Sequence, residues 1–365
     1  MKYKSIYVAA TSQHVGKTTC TLGVASVLSK QGINVGYCKP VGQKYVPYRD
    51  IFIDKDVVLF SDLLAFDPVQ ALHSPVILGA GATTNFLDTP SSFHYPKNIL
   101  KAAALLEQKH DLVIYEGTGH PGVGSVVDLS NAEVARLLGA GVIMIAEGGI
   151  GSTIDELNLC INMFRAQNVP IIGVILNKVI PSKIEKVRKY VSLWLSKMDI
   201  PLLGILTFDK TMGNPTLATI SESVNGKVIL NQHKLNNKVE GIIAGSLITA
   251  EEFDEKGANL LLVVGASRLD WAIADTIEIM KSKQISSSPF SGIIATGLGT
   301  QNETTLAYIT KHEIPLIHTM LETHGAVVKI DRIEVKINPQ TPWKITKAIR
   351  MIEKNIDMND LLIAK

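Results

Sequence analysis

The residues best equipped for chemistry lie in one stretch, IYVAATSQHVGKTTCTLG over 6–23. Polyphosphate binding requires consecutive backbone N–H donors, the positive end of a helix and a lysine. A short apolar run, a tight polar turn, Gly-Lys-Thr and a helix-like segment supply all three at one point. Lys17 would reach the outer phosphates and Thr18 would hold a magnesium ion through its hydroxyl. Ser12, Gln13, His14, Val15, Gly16 and Thr19 complete the candidate nucleotide cradle. The usual G-x-x-x-x-G-K-[ST] pattern has a glycine where this chain has Thr11, so the turn is expected to differ somewhat from the common one. The plainer reading, a chance Gly-Lys-Thr opening a helix, is weakened by strand, turn and helix following in the required order. His14 either touches the ligand or faces solvent.

Such a turn needs a sheet to carry it. Short β-branched runs at 5–10, 34–39, 111–116, 141–146, 171–177 and 202–207 alternate with longer helix-like segments. That alternation calls for an α/β fold, a P-loop parallel sheet with helices on both faces. Over 17–32, Leu22, Val24, Ala25, Val27 and Leu28 share adjoining helical faces and Gly32 supplies the stop; over 183–198, Val187, Tyr190, Val191, Trp194 and Leu195 are expected inward. The stretch 72–97 fits neither period and reads as a long connection of the lid kind. Periodicity breaks at Gly213, Asn214 and Pro215, dividing the chain into domains 1–212 and 213–365. Runs at 241–245, 260–265, 292–297 and 315–320, with a helix-like segment at 269–283, make the latter a second, smaller α/β domain. No internal repeat of fixed period is present.

In an open parallel sheet, ligands bind at the carboxyl ends of the strands, so the residues at the end of each run are the ones to inspect. The second run ends at Lys39, the third at Glu116 and the fifth at Asn177, Glu147 follows the fourth, and Asp54 and Asp56 lie between runs. Together they compose a magnesium–nucleotide site. Thr18, Asp56 and Glu116 are the hard-oxygen metal candidates, Lys17 and Lys39 the catalytic anion clamps, and Asn177 an amide able to read adenine. Each has a plainer role: Asp54 as a helix cap, Lys39 as a solvated strand end, Asn177 as a turn closer. His318, Glu322 and His324 lack H-E-x-x-H spacing and a third convergent element, and Ser125 lacks a nucleophile elbow, so neither a metal centre nor a serine hydrolase is expected.

Composition narrows the classes further. The 365 residues are 46% apolar and 19% charged, and 36 basic against 34 acidic side chains leave a formal charge of +2, with no basic excess for nucleic acid or an anionic membrane. Aromatic residues, at 6%, are sparse for a base-stacking surface. Cys20, Cys38 and Cys160 are scattered without partner spacing and read as reduced thiols of a cytoplasmic protein. The apolar stretch at 6–10 is too short for a signal peptide, and no run approaches the ~18 residues of a membrane span.

The ordered set ATSQHVGKT at 10–18, CKPVGQ at 38–43, DKD at 54–56, YEGTG at 115–119 and LNK at 176–178 resembles dethiobiotin synthetase over about residues 1–210. The resemblance implies phosphate and magnesium contacts for Lys17 and Thr18, a carbamate or phosphate contact for Lys39, magnesium for Asp56 and Glu116, and adenine for Asn177. Ala10, Ser12 and His14 depart from that family's loop, and Thr118 and His120 interrupt its glycine-rich turn, changes that bear on the substrate half of the pocket. CKPVGQ, the connection 202–222, GIIAGSLITAEEF at 241–253, VGASRLDWA at 264–272, GIIATGLG at 292–299 and TMLETHGA at 319–326 are together similar to the N-terminal half of long phosphotransacetylases, a dethiobiotin-synthetase-like domain joined to a DRTGG domain. There Ser267 replaces the aspartate of the namesake motif, and Arg268 and Asp270 are expected to form a salt bridge. The transferase module is not expected in this chain.

The resemblances imply an ATP- and Mg2+-binding protein with a regulatory or sensing role in acetyl-phosphate metabolism, a phosphotransacetylase or related enzyme as partner, and a homodimer. The alternative is an ATP-dependent ligase of the dethiobiotin synthetase type, which phosphorylates a carbamate and closes a ring.

Overall fold

The structure, a computed structural model, describes residues 3–249, 251, 257–333 and 335–358. It divides into two compact units, Met1–Phe208 with Ile337–Lys365, and Asp209–Lys336.

In chain order the first unit contains β1 (Ser5–Ala10), α1 (Lys17–Lys30), β2 (Val35–Cys38), β3 (Val41–Gly42), β4 (Tyr45–Tyr48), β5 (Ile51–Asp54), α2 (Lys55–Leu64), α3 (Gln70–His73), β6 (Val76–Ile77), α4 (Ala82–Asp88), α5 (Tyr95–Lys109), β7 (Leu112–Glu116), α6 (Asn131–Leu137), β8 (Gly141–Glu147), α7 (Gly151–Ala166), β9 (Ile171–Val179), α8 (Ile184–Ser196) and β10 (Leu202–Thr207). The second contains α9 (Leu217–Ser223), β11 (Lys227–Leu230), β12 (Gly241–Ala244), β13 (Leu260–Gly265), α10 (Leu269–Ser282), β14 (Phe290–Thr296), α11 (Glu303–Lys311), β15 (Leu316–Thr319) and α12 (Thr323–Asp331). The chain then returns to the first unit with α13 (Pro342–Asn355).

Six parallel strands in the order β10-β9-β8-β1-β7-β2 form the first sheet. Its central strands are apolar on both faces because helices cover both: every residue of β1 and β7 is buried. All carboxyl ends therefore emerge on one edge, with β1 at the centre carrying the phosphate loop. The second sheet has the order β11-β15-β14-β13-β12, with β11 antiparallel and the others parallel.

Three expectations need correction. The stretch 72–97 holds β6, α4 and the first residues of α5, elements too short to show a period. They are fastened by an aromatic cluster in which the Phe86, Phe93 and Tyr95 ring centroids lie 5.1–5.9 Å apart. Tyr190, expected inward, is exposed, while Val187, Val191 and Leu195 on the same helix are buried. The division at 213 assigned the entire C-terminal part to the second domain, whereas the unit boundary falls after Phe208 and α13 belongs to the first unit. The reason is a groove in α1: a β-carbon at Gly23 would lie 2.2 Å from Ile352 Cγ1, so the missing side chain admits α13 against the helix of the phosphate loop.

Candidate functional site

Gly16 caps the N-terminus of α1 at φ +91° and, having no side chain, makes no capping bond to the opening N–H groups of that helix. The glycine N-cap leaves the opening N–H groups of this 14-residue helix directed out of the sheet edge, the geometry that suits an anion. Thr11 occupies the place of the usual first glycine without a positive φ; the left-handed residues are His14, at φ +63°, and Gly16. Thr11 N donates to Ile145 O at 3.0 Å, so this position continues the β1–β8 ladder and a threonine is tolerated there. Val15 is buried and anchors the turn, Ser12, Thr18 and Thr19 are half-buried, and Gln13 and His14 are exposed.

The ends of β2 and β7 meet this loop. Glu116 is fully buried, and its Oε1 accepts from Thr18 Oγ1 at 2.8 Å and from Lys39 Nζ at 2.9 Å. Lys39 Nζ also donates to Asp56 Oδ2 at 2.9 Å and to Gly117 O at 3.3 Å. Lys39 is therefore not a solvated strand end. Burial pulls its ammonium down, but Asp56, Glu116 and Asp54 outweigh that and hold it well above the ordinary lysine value. Lys17 Nζ donates to Gly119 O at 2.9 Å, on the loop that follows Glu116.

Asp54 caps α2, its carboxylate accepting from Asp56 N at 2.9 Å, which settles its role on the plainer reading. Burial, reinforced by Asp56 and opposed by Lys39, pushes its carboxyl up to about 6. The hydroxyl of Thr18 and the carboxylates of Asp56 and Glu116 thus belong to one bonded cluster. These hard oxygens fit a magnesium ion shared with a phosphate better than an all-protein cage.

Asn177, at the end of β9, lies behind the loop. Its Nδ2 donates to Val15 O at 2.8 Å, and its Oδ1 accepts from Lys178 N at 2.9 Å. A polar cavity of about 240 Å3 opens beside the loop between Ser12, Glu147, Gly148, Ser152, Thr153 and Glu156. The sequence reading missed Tyr37, which stacks on Phe60 at 3.7 Å and points its hydroxyl at Glu116 Oε2 from 3.5 Å. It also missed Asn131, which bonds the backbone of Thr118. Tyr37 lies inside a run read only as a strand, and the contact of Asn131 is tertiary, so neither left a local signal.

Elsewhere, His318 Nε2 contacts Gly297 O at 2.6 Å, and among the described residues His318, Glu322 and His324 do not gather as a metal-binding group. The expected Arg268–Asp270 salt bridge is corrected: the Asp270 carboxylate accepts from Asn302 N at 3.1 and 3.3 Å. Of the stretch 241–253, Ala250, Glu252 and Phe253 lie outside the described residues. Among the described residues no helix is long and apolar enough to cross a membrane.

A parallel sheet with a glycine-capped lysine loop at its central strand defines the class of P-loop domains. Residues 4–216 match the AAA domain family, and the chain belongs to it. Among curated proteins it is 22% identical to a phosphate acetyltransferase of Nitratidesulfovibrio vulgaris, across 98% of this chain and 51% of that protein. It is 27% identical to the ATP-dependent dethiobiotin synthetase BioD of Methanocaldococcus jannaschii, across 47% of this chain and 78% of that protein. The chain spans about half the length of the phosphate acetyltransferases it matches. Among solved structures, the MinC:MinD cell division protein complex of Aquifex aeolicus matches at TM-score 0.37 and 14% identity, across 57% of this chain and 83% of the other.

Proposed function

We propose that the first unit binds ATP with Mg2+ at the phosphate loop and that the chain serves as a regulatory or sensing module linked to phosphotransacetylase and acetyl-phosphate metabolism. The observation that carries the reading is the meeting of Lys17, Thr18, Lys39 and Glu116 at the glycine-capped N-terminus of α1. In this reading Lys17 and the N–H groups of Val15 to Thr19 hold phosphate oxygens, while Lys39 neutralises charge from the β2 side. Thr18, Glu116 and Asp56 hold the metal, which when bound offsets phosphate charge. Asn177, whose Nδ2 bonds Val15 O and whose Oδ1 already accepts from Lys178 N, offers its second N–H and the remaining lone pair of Oδ1 to a base. The second unit, DRTGG-like in sequence, is the element that would change state with ligand.

A thermal-shift series with ATP, ADP, GTP and AMP, each with and without Mg2+, tests this. Ligand at about 100 times its Kd stabilises by about 2.7 kcal/mol, so a clear rise in Tm is expected for a nucleoside triphosphate with Mg2+, and none for Lys17→Ala. No shift with any nucleotide at millimolar concentration would overturn the reading.

The position of Lys39 favours a second reading. A buried ammonium facing the loop, in a KPV sequence like that of dethiobiotin synthetase, suits a ligase that phosphorylates a carbamate. Release of ADP from ATP, Mg2+ and bicarbonate that depends on added diaminopelargonic acid would establish it; its absence leaves the binding role alone.

A further inference from the structure

Asn131 is the first residue of α6, and every hydrogen-bonding position of its amide is used. Oδ1 accepts from Tyr7 Oη at 2.7 Å and from Thr118 N at 3.0 Å, while Nδ2 donates to Thr118 O at 2.7 Å and to His120 O at 2.6 Å. The residue is 4% exposed, so water does not compete for these bonds. The loop it grips is the one that meets both lysines, Lys17 through Gly119 O at 2.9 Å and Lys39 through Gly117 O at 3.3 Å. On its other side Thr118 Oγ1 donates to Val41 O at 2.7 Å. The fit at Gly117 is close: a β-carbon there would lie 2.6 Å from Asn131 Oδ1 and 2.9 Å from Tyr7 Oη.

We infer that Asn131 is a positioning residue of the phosphate site, one that fixes the carbonyls of Gly117 and Gly119 and thereby sets the two ammonium groups before any ligand arrives. The inference rests on the reading of that site as a polyphosphate site. Asn131 acts through the loop rather than on a ligand. An aliphatic residue of similar size fills the same space but leaves Thr118 N, Thr118 O and His120 O without their partner. Tyr7 shares the task from β1: its hydroxyl, held un-ionised by burial, is a donor to Oδ1 at any ordinary pH.

The test uses the full chain as Asn131→Leu and as Tyr7→Phe, with folding verified by circular dichroism. Two quantities are read: affinity for a fluorescent ATP analogue with Mg2+, and acetylation of Lys17 by a limiting acylating reagent, measured by peptide mass spectrometry against the exposed Lys101. Asn131→Leu is expected to weaken the analogue about tenfold and to raise Lys17 labelling several-fold, with Tyr7→Phe displaced in the same direction by less, since one bond of four is lost. A general loosening would raise labelling of buried Lys39 as much as that of Lys17 and lower Tm, so selectivity for Lys17 marks positioning. If the unaltered protein fails to bind the analogue, the nucleotide reading falls, and the labelling alone then decides the role of Asn131. Labelling of Lys17 within about twofold of the unaltered protein in a folded Asn131→Leu variant would overturn the inference. Should that variant not fold, unchanged labelling and affinity in Tyr7→Phe would do so.

Discussion

Asn177 stands where a side chain on Gly16 would have to go: a β-carbon at 16 would fall 2.1 Å from Asn177 Nδ2. The same amide donates to Val15 O at 2.8 Å, so the end of β9 and the phosphate turn lock together only while residue 16 is glycine. Its φ of +91° strains any other residue there independently of the contact. Gly16→Ala is therefore expected to cost about 2 kcal/mol or more, strain at a left-handed position adding to the displaced amide, and to abolish nucleotide stabilisation in a thermal-shift assay. Asn177→Ala should lower stability less and leave the backbone of residue 16 unstrained. Equal stability of Gly16→Ala and the unaltered protein in urea titration would contradict this account.

Lys39 lies between two carboxylates, one of them fully buried. Removing one partner of a buried ion pair leaves an uncompensated charge, so Lys39→Met is expected to destabilise by about 3–5 kcal/mol. Adding Glu116→Gln should recover a large part of that loss, because the charge it leaves buried is removed while Thr18 retains an amide oxygen to donate to. Chemical denaturation of the two single variants and the double variant forms the cycle that measures the coupling. Additive losses would mean that the two groups do not depend on each other.

What the sequence disclosed follows from which interactions are local. A parallel strand covered on both faces is a continuous apolar run, and the residue that ends it is bound to emerge at the ligand edge. Lys39, Glu116 and Asn177 were legible for that reason. The same logic found β12, β13, β14 and β15 in the second sheet. Strands of two residues, such as β3 and β6, fall below any period. Tyr7 and Asn131 lie 124 positions apart, and nothing local to either announces their bond. The amphipathic pattern of 342–355 implies a buried face but cannot say which unit it faces; only the gap at Gly23, read with Ile352 in place, supplies the answer.

Two buried groups give the first unit opposite responses to acid. Burial holds the His73 imidazole down at about 4, with Val69 N donating to its Nδ1 at 2.9 Å and the Phe66 ring stacked 4.4 Å away. A depressed histidine contributes stability that is complete above its unfolded value near ~6.5 and is lost as pH falls toward 4. Asp54, held up at about 6, behaves the other way: its contribution is complete below the unfolded value near ~3.9 and is lost as pH rises through 6. His73→Asn, which keeps an acceptor for Val69 N, should flatten the loss between pH 6.5 and 4. Asp54→Asn, which keeps the cap on α2, should be relatively more stable than the unaltered protein above pH 6 than below 4. Urea midpoints across pH 3.5–7.5 check both, and parallel curves for all three proteins would refute the assignments.

The last helix bears on the phosphate site through packing. Ile352 and Ala348 are fully buried on α13, and Ile352 fills the notch that Gly23 leaves in α1, seven residues after Gly16. Beyond the helix, the chain bridges to β10 at Gly204, where a β-carbon would lie 2.1 Å from Asn355 O. The segment is therefore built into both a helix and the edge strand of the first sheet. Ile352→Ala removes three buried carbons from a site with glycine on the facing side, so little collapse is available and a cost of about 2–4 kcal/mol is expected. Gly23→Val should cost at least as much by overpacking, since the added branch meets Ile352 with the backbone of Ala348 close behind. If α13 were a passive tail, both variants would melt with the unaltered protein. If it braces α1, both should melt earlier, and the pair Gly23→Val with Ile352→Ala should be less destabilised than the sum of the two, because each makes room for the other.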